Sequence, residues 1–227
     1  LVPDLKWNRR WGEQARQYAE GHPYFSKHSM YGLQWGHPLH GTAKFVVPEY
    51  IQPRMVDADT VLEIGPGGGR YTQFLLDCSH LILVEYNTEF FAILEELYGD
   101  KGPKLSFVTS DGSSLPGVPD QSVDFVFSFD CFVHLDIPLI RGYLADIGRV
   151  LAPDGYAVIH YADKNKEAAQ KQGSNFSPTT SEKMRELVTE AGYEITKEDI
   201  KRISHSSIME IRYRTNSVTR NGSHKGR

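Results

Sequence analysis

Residues 62–72 read LEIGPGGGRYT, a short apolar run followed by four glycines and a proline. Glycine serves where a backbone turns sharply or where a ligand comes within contact distance of it. Thr60–Ile64 (TVLEI) reads as a strand running into these glycines. Gly69–Cys78 reads as a helix leaving them, with Tyr71, Phe74, Leu75 and Cys78 on one buried face. Two phosphate-binding patterns fail here. A dinucleotide fingerprint needs glycine three places after Gly67, where Arg70 stands, and a phosphate loop needs a Gly-Lys-Ser/Thr ending that is missing. What remains is Glu-x-Gly-x-Gly-x-Gly, carried by Glu63, Gly65, Gly67 and Gly69.

Beyond this stretch the same alternation repeats. Leu81–Glu85 (LILVE) is a near-continuous apolar run, as expected of a strand buried on both faces. A helix follows from about Thr88 and stops before Gly99. Leu105–Val108 and Val123–Phe129 supply two more strands, and Asp136–Leu151 the clearest helix, with Ile140, Tyr143, Leu144 and Ile147 on one face. Pro153-Asp154-Gly155 reads as a turn before a fifth strand, Tyr156–Tyr161. Ser181–Ala191 is a helix stopped by Gly192. Tyr193–Ile203 and Ser207–Tyr213 then form an antiparallel pair joined by Ser204-His205-Ser206. The expectation is a doubly wound α/β fold with a mostly parallel sheet closed by an antiparallel end.

Composition sets limits on partners. The 227 residues are 40% hydrophobic and 24% charged, with a net charge of −4, which suits a globular domain and gives no global positive field to draw nucleic acid or an anionic membrane. No apolar stretch approaches a membrane span. The opening residues lack the basic-then-apolar layout of a secretory signal; the chain does not start with Met, so a removed leader stays open. Cys78 and Cys131 belong to no metal-ligand pattern and read as buried apolar groups in a reducing compartment, with the cytoplasm the default location. Three regions follow: residues 1–57 as an aromatic N-terminal cap, 58–214 as the domain of alternating strands and helices, and 215–227 as a polar, disordered tail.

In a sheet of this kind ligands sit outside the carboxyl ends of the strands, so the loops after them are the places to look. Glu85 ends the second strand twenty positions after Gly65, where a carboxylate can accept hydrogen bonds from both hydroxyls of a ribose. Asp111, in Ser110-Asp111-Gly112-Ser113, can accept from the exocyclic amine of adenine, although Asp-Gly is also a common turn former.

Taken together, VLEIGPGGGRYT, LVEYN, SDGSSLP, SVDFVFSFDCFVHLD and LADIGRVLAPDGYAVIHY resemble the successive motifs of the class I S-adenosylmethionine-dependent methyltransferases, over about residues 58–162. The resemblance implies a seven-stranded Rossmann-like methyltransferase fold. It implies that Glu63, Gly65, Gly67 and Gly69 line the methionine half of S-adenosylmethionine, with S-adenosylhomocysteine as product. Glu85 and Tyr86 would then meet the ribose, and Asp111, Gly112 and Ser113 the adenine, with Phe129 beside the cofactor. Such a cofactor has no phosphate, which agrees with the missing lysine.

Methyl transfer to a hydroxyl asks for a base near the line of attack. The fourth loop offers His134 first, then Asp130 and Asp136, the last of which is also a helix cap. The Asn/Asp-Pro-Pro-Tyr sequence common in enzymes that methylate base or amide nitrogens is replaced by Phe129-Asp130-Cys131-Phe132, which argues against nucleic acid as substrate. In the fifth loop His160 and Asp163 are expected at the acceptor; a divalent metal there is not favoured. Tyr31, Trp35 and His37 concentrate aromatic surface suited to stacking on a saccharide or planar acceptor. The expected activity is O-methylation of a small molecule or saccharide, with methylation of a small amine or peptide nitrogen, or a non-catalytic cofactor-binding subunit, as alternatives.

Overall fold

The structure, a computed structural model, describes residues 6–24, 32–33 and 41–214. The expected tail, and Tyr31, Trp35 and His37, lie outside the described residues. Helix α1 (Lys6–Ala19) opens the chain and packs on a later helix through a face that includes Trp11, Ala15 and Tyr18. Helix α2 spans residues 43–55 and widens to π geometry over Val47–Ile51. Pro53 has no N–H to give the Glu49 carbonyl one turn back. Lys197 Nζ donates to that carbonyl instead, at 3.1 Å, tying the helix to the sheet.

Strand β1 (Thr60–Ile64) leads into the glycine loop, and β2 (His80–Glu85), β3 (Lys104–Thr109) and β4 (Val123–Ser128) follow. Helix α3 (Glu89–Tyr98) joins β2 to β3, and α4 (Ile137–Val150) joins β4 to β5 (Leu151–Ala162). Helix α5 (Ser181–Glu190) precedes the hairpin of β6 (Tyr193–Asp199) and β7 (Ser206–Tyr213). One seven-stranded sheet results, in the order β3-β2-β1-β4-β5-β7-β6. The first five strands pair in parallel, and β7 runs antiparallel to both its neighbours.

The buried strands divide their side chains between two cores, as period-two alternation requires. Leu62, Ile64 and Val126 join Ile140, Tyr143 and Leu144 of α4 on one side. Val61, Phe125 and Phe127 join Tyr50, Phe90 and Leu94 on the other. The sheet is thus wrapped on both faces, and the site is left at its carboxyl edge.

Two local expectations are corrected. Residues 69–78 form no helix beyond one 3-10 turn, Thr72–Phe74. The Thr72 hydroxyl is spent on buried Glu63, the Gln73 amide caps the Arg70 carbonyl at 2.8 Å, and the Asp59 carbonyl already draws Ser79 and His80 into β2. Side-chain bonds of this kind compete with the helix ladder. Pro153-Asp154-Gly155 makes no turn ahead of its strand either. It lies within β5 as an irregularity, where the register against β4 jumps from Leu151 to Tyr156.

Candidate functional site

The glycine loop is held by close packing at both ends. A Cβ on Gly65 (φ +71°) would stand 2.6 Å from Cβ of Cys131, and one on Gly69 (φ +86°) 2.5 Å from the Tyr98 ring. Around Gly67 a Cβ would meet nothing within 4 Å, so the loop's middle faces open space. Beneath it Glu63 is buried, accepting a 2.6 Å hydrogen bond from Thr72 Oγ1, and burial pushes its pKa up to about 8.

Glu85 closes β2 beside this loop. Its Oε1 accepts from the N–H groups of Tyr86 (2.8 Å) and Asn87 (3.0 Å), and Oε2 from Gly67 N–H at 3.3 Å. Burial raises its pKa while these backbone donors pull the other way. Asp111 lies farther out, in an exposed turn. Its Oδ1 takes all three loop donors, Ser113 N–H and the hydroxyls of Ser113 and Ser114, and no hydrogen bond among the described residues reaches Oδ2. Gly112 is buried there, its N–H donating to Ser110 Oγ at 3.0 Å.

After β4 the backbone is strained: Asp130 sits at φ +60°, an unusual conformation for a residue with a side chain. Arg70 from the glycine loop pairs with its Oδ2. His160, fully buried at the end of β5, places Nδ1 3.2 Å from Oδ1. Burial would raise the Asp130 pKa, but the hydrogen bond and charge of His160, with Arg70 and His134, hold it well below the usual carboxylate range. The Phe129 and His160 rings stack at 3.9 Å, and Tyr71 lies 4.5 Å from Phe129. Cys131 is no nucleophile, because burial pushes its thiol up to about 12.

His134 lies one turn further on. Its Nδ1 donates to the Asn175 carbonyl at 2.8 Å, which leaves Nε2 with the lone pair. Burial lowers its pKa, so the ring is neutral at neutral pH. Trp11 and Phe176 flank it, each with its centroid 5.5 Å from that of the imidazole.

These groups share one cleft of about 780 Å³ at the carboxyl ends of β1, β2 and β4, a size suited to a cofactor and small acceptor. Glu63, Gly65, Gly67, Glu85, Phe129, Asp130 and His134 all line it. Gly69, Tyr86, the Asp111–Ser113 turn and Asp136 do not; Asp136 is exposed at the start of α4. His160 stands behind Phe129 and Asp130. Asp163 is buried outside the cleft, bonded to Ser207 Oγ (2.9 Å) and Ser181 N–H (3.2 Å), and so joins β5, β7 and α5. The sequence reading passed over Trp11, Phe176 and His205, which also line the cleft. For His205 the signal was topological: Ser206 pairs with Ala162, so the loop before β7 falls at the carboxyl end of β5. Among the described residues no group of three or more His, Cys, Asp or Glu is placed to hold a metal ion. No helix of the described residues is long and apolar enough to cross a membrane.

The strand order and the cleft beside the first glycine loop define the class: a Rossmann-like methyltransferase fold. Residues 61–155 match the model of the methyltransferase-domain family. The fold and this match agree on a methyltransferase domain over residues 61–155. No curated protein matches it by sequence. Among solved structures, a chain of the complex between the Haloferax volcanii Trm112 methyltransferase activator and a methyltransferase aligns with TM-score 0.65 at 19% identity, over 87% of this chain and 96% of that one. The Burkholderia thailandensis 1,6-didemethyltoxoflavin-N1-methyltransferase, solved with its substrate and S-adenosylhomocysteine, aligns with TM-score 0.62 at 19% identity, over 89% and 86%. The [4+2]-cyclase SpnF aligns with TM-score 0.58 at 19% identity, over 69% of this chain and 59% of that one. Likeness at this identity shows the fold alone, which among these three carries both methyltransferases and a [4+2]-cyclase.

Proposed function

We propose that this methyltransferase acts on an oxygen of a small molecule or saccharide in the cytoplasm, with the acceptor's proton taken by a histidine of the cleft. The observation that carries the reading is the placement of neutral His134, with Nε2 unprotonated, in the same cleft as the glycine loop and Glu85. Its two free cysteines and acidic composition support the cytoplasm.

The residues present fit S-adenosylmethionine. The open space at Gly67 admits a ligand against the backbone, and no lysine waits for a phosphate. Both oxygens of Glu85 retain lone pairs for ribose hydroxyls, with Tyr86 alongside. Glu63 and Gly65 shape the methionine end with Gly69 packed behind the loop, the carboxylate of Asp130 suits the cofactor's cationic groups, and Glu63 would give up its proton beside them. Asp111 Oδ2, with Gly112 and Ser113, is placed in this reading at the adenine, and Phe129 forms an apolar wall. When bound, the cofactor supplies a methyl group on a sulfonium, which the acceptor's lone pair displaces in line as the C–S pair stays with sulfur.

The chain's own part is alignment, exclusion of water and proton removal. Trp11 and Phe176 cover the acceptor end, and His134 Nε2 accepts the proton while the Asn175 carbonyl fixes its tautomer. Tyr31, Trp35 and His37 stand in this reading as the surrounding acceptor contacts, while His160 and Asp163, buried outside the cleft, support its wall without touching the acceptor. A second reading, methylation of a small amine or peptide nitrogen, draws on the acidic groups of the cleft and on the N1-methyltransferase among the similar folds. A screen of alcohols, saccharides and amines with methyl-labelled cofactor tests both. Label on hydroxyl acceptors supports the first reading, and label on amines alone overturns it. Tight cofactor binding with no transfer to any acceptor would point to a binding subunit.

A further inference from the structure

Around His134 the cleft is built from two walls of matching chemistry. Helix α1 supplies Trp11 and, one turn on, Gln14; the loop after β5 supplies Gln172, Asn175 and Phe176. Both aromatic rings flank the imidazole, each at a centroid distance of 5.5 Å. The Trp11 ring is tilted by 52° to the imidazole and the Phe176 ring by 84°, so the two rings are not parallel and bound a wedge rather than a slot. The loop wall is fixed in place. Ser177 N–H donates to the Val133 carbonyl at 2.7 Å, and Lys164 Nζ donates to the carbonyls of Ala169 (2.9 Å) and Gly173 (2.7 Å). His205 stands edge-on to Phe176 at 5.4 Å. Among the described residues the side-chain amides of Gln172 and Asn175 have no hydrogen-bond partner, although both residues line the cleft.

We propose that the acceptor is a neutral saccharide, one pyranose ring of which enters between Trp11 and Phe176 with a hydroxyl on His134. This rests on the reading of the cleft as a methyl-transfer site and narrows it. The walls separate the competing acceptor chemistries. A flat phenol gains most between two parallel faces, which the Trp11 and Phe176 rings do not provide. A puckered ring presents C–H groups in several directions and fits a wedge. An amine needs a carboxylate, and the carboxylates of the described lining are engaged: Glu63 with Thr72, Glu85 with three backbone N–H groups and Asp130 with Arg70. Arg70 is thereby paired and Arg10 is exposed, so the buried part of the described lining holds no spare arginine for an acidic sugar. Amides remain. Each offers two donors and an acceptor oxygen, the pattern that neighbouring hydroxyls, which both donate and accept, satisfy.

Gln172 and Asn175 are then specificity-determining residues, and His134 keeps the chemistry. The hydroxyl proton passes to His134 Nε2, the oxygen pair bonds the methyl carbon and the C–S pair stays with sulfur. Asn175 serves through two separate groups. Its backbone carbonyl holds the His134 tautomer at 2.8 Å, which any side chain preserves, while its side-chain amide meets the sugar. Asn175→Ala therefore removes a sugar contact without removing the bond that orients the base.

The test compares the methyl glycosides of glucose, galactose and mannose with methyl glucosaminide, methyl glucuronide and catechol. Transfer is read with methyl-labelled S-adenosylmethionine, and binding by saturation-transfer NMR from protein to sugar protons, which needs no cofactor. A neutral glycoside is expected to bind and to gain a methyl group on oxygen, with kcat/KM about 10-fold or more above the amine, the acid and the phenol. Asn175→Ala and Gln172→Ala should each raise its KM about 10-fold with a smaller change in kcat. Phe176→Leu should weaken the sugar contact, and Phe176→Tyr, which keeps the ring, should restore it. Preference for catechol, the glucosaminide or the glucuronide would overturn the proposal. So would a KM indifferent to both amides, or folded, cofactor-binding protein that neither binds nor methylates any of the three neutral glycosides. Failure to bind S-adenosylmethionine would sink the methyl-transfer reading instead, and sugar contacts seen by NMR would then leave the saccharide site standing.

Discussion

Thr72 Oγ1 donates a 2.6 Å hydrogen bond to Glu63 Oε2 inside the core, directly under the glycine loop. Burial holds the Glu63 pKa at about 8, far above its unfolded value of 4.5, so the folded protein keeps the acid protonated where the unfolded chain has ionised it. Unfolding then releases a proton, and stability falls as pH rises from about 4.5 to about 8 and levels off beyond. Glu63→Gln removes this slope. Denaturation of both proteins across that range checks it, the expected difference being a few kcal/mol.

The same buried acid couples binding to pH. A cation seated on the loop favours the ionised form of Glu63, so binding releases a proton and affinity rises with pH toward 8. Calorimetry in two buffers of different ionisation heat reads the proton release, which Glu63→Gln should abolish.

The glycines of the loop should separate into two kinds. Gly65→Ala drives a methyl into Cys131 and Gly69→Ala drives one into Tyr98, each on a backbone with positive φ. Overpacking and strain together should cost about 2–4 kcal/mol in denaturant unfolding. Gly67→Ala meets no atom, so its cost is confined to its φ of +52°, about 1–2 kcal/mol. Its larger effect should be on cofactor affinity, because the methyl occupies the open side of the loop.

His134 acts as a base only when neutral, and burial places its pKa below the usual 6.5. Turnover should therefore rise with pH through a limb below 6.5 and stay flat above it. His134→Gln should lower the rate by about 10²-fold or more with little change in cofactor affinity. A rate loss confined to acceptor KM would assign His134 to binding.

Much of the fold was legible because apolar runs such as LILVE and the facial pattern of Ile140, Tyr143, Leu144 and Ile147 have one physical solution each. The carboxylates were legible for the same reason: a strand buried on both faces that ends in Glu places that Glu at the sheet edge. Residues 69–78 misled because Tyr71 and Leu75 are buried at helical spacing, yet Thr72 is drawn to Glu63, a contact nine residues back that no local pattern reveals. His205 was hidden in a polar turn. Only the pairing of β7 with β5 brings that turn to the cleft, and long-range pairing is the part of a fold least written in local sequence.

The central claim is that the cleft between Gly67 and Glu85 holds S-adenosylmethionine. Calorimetric titration of the folded protein with S-adenosylmethionine, and with NAD as control, tests it most directly. We expect one site for S-adenosylmethionine and none for NAD. Glu85→Ala should weaken binding about 10- to 100-fold, the loss of a charge-assisted hydrogen-bond acceptor. Absence of S-adenosylmethionine binding by folded protein, or binding indifferent to Glu85, would contradict the account.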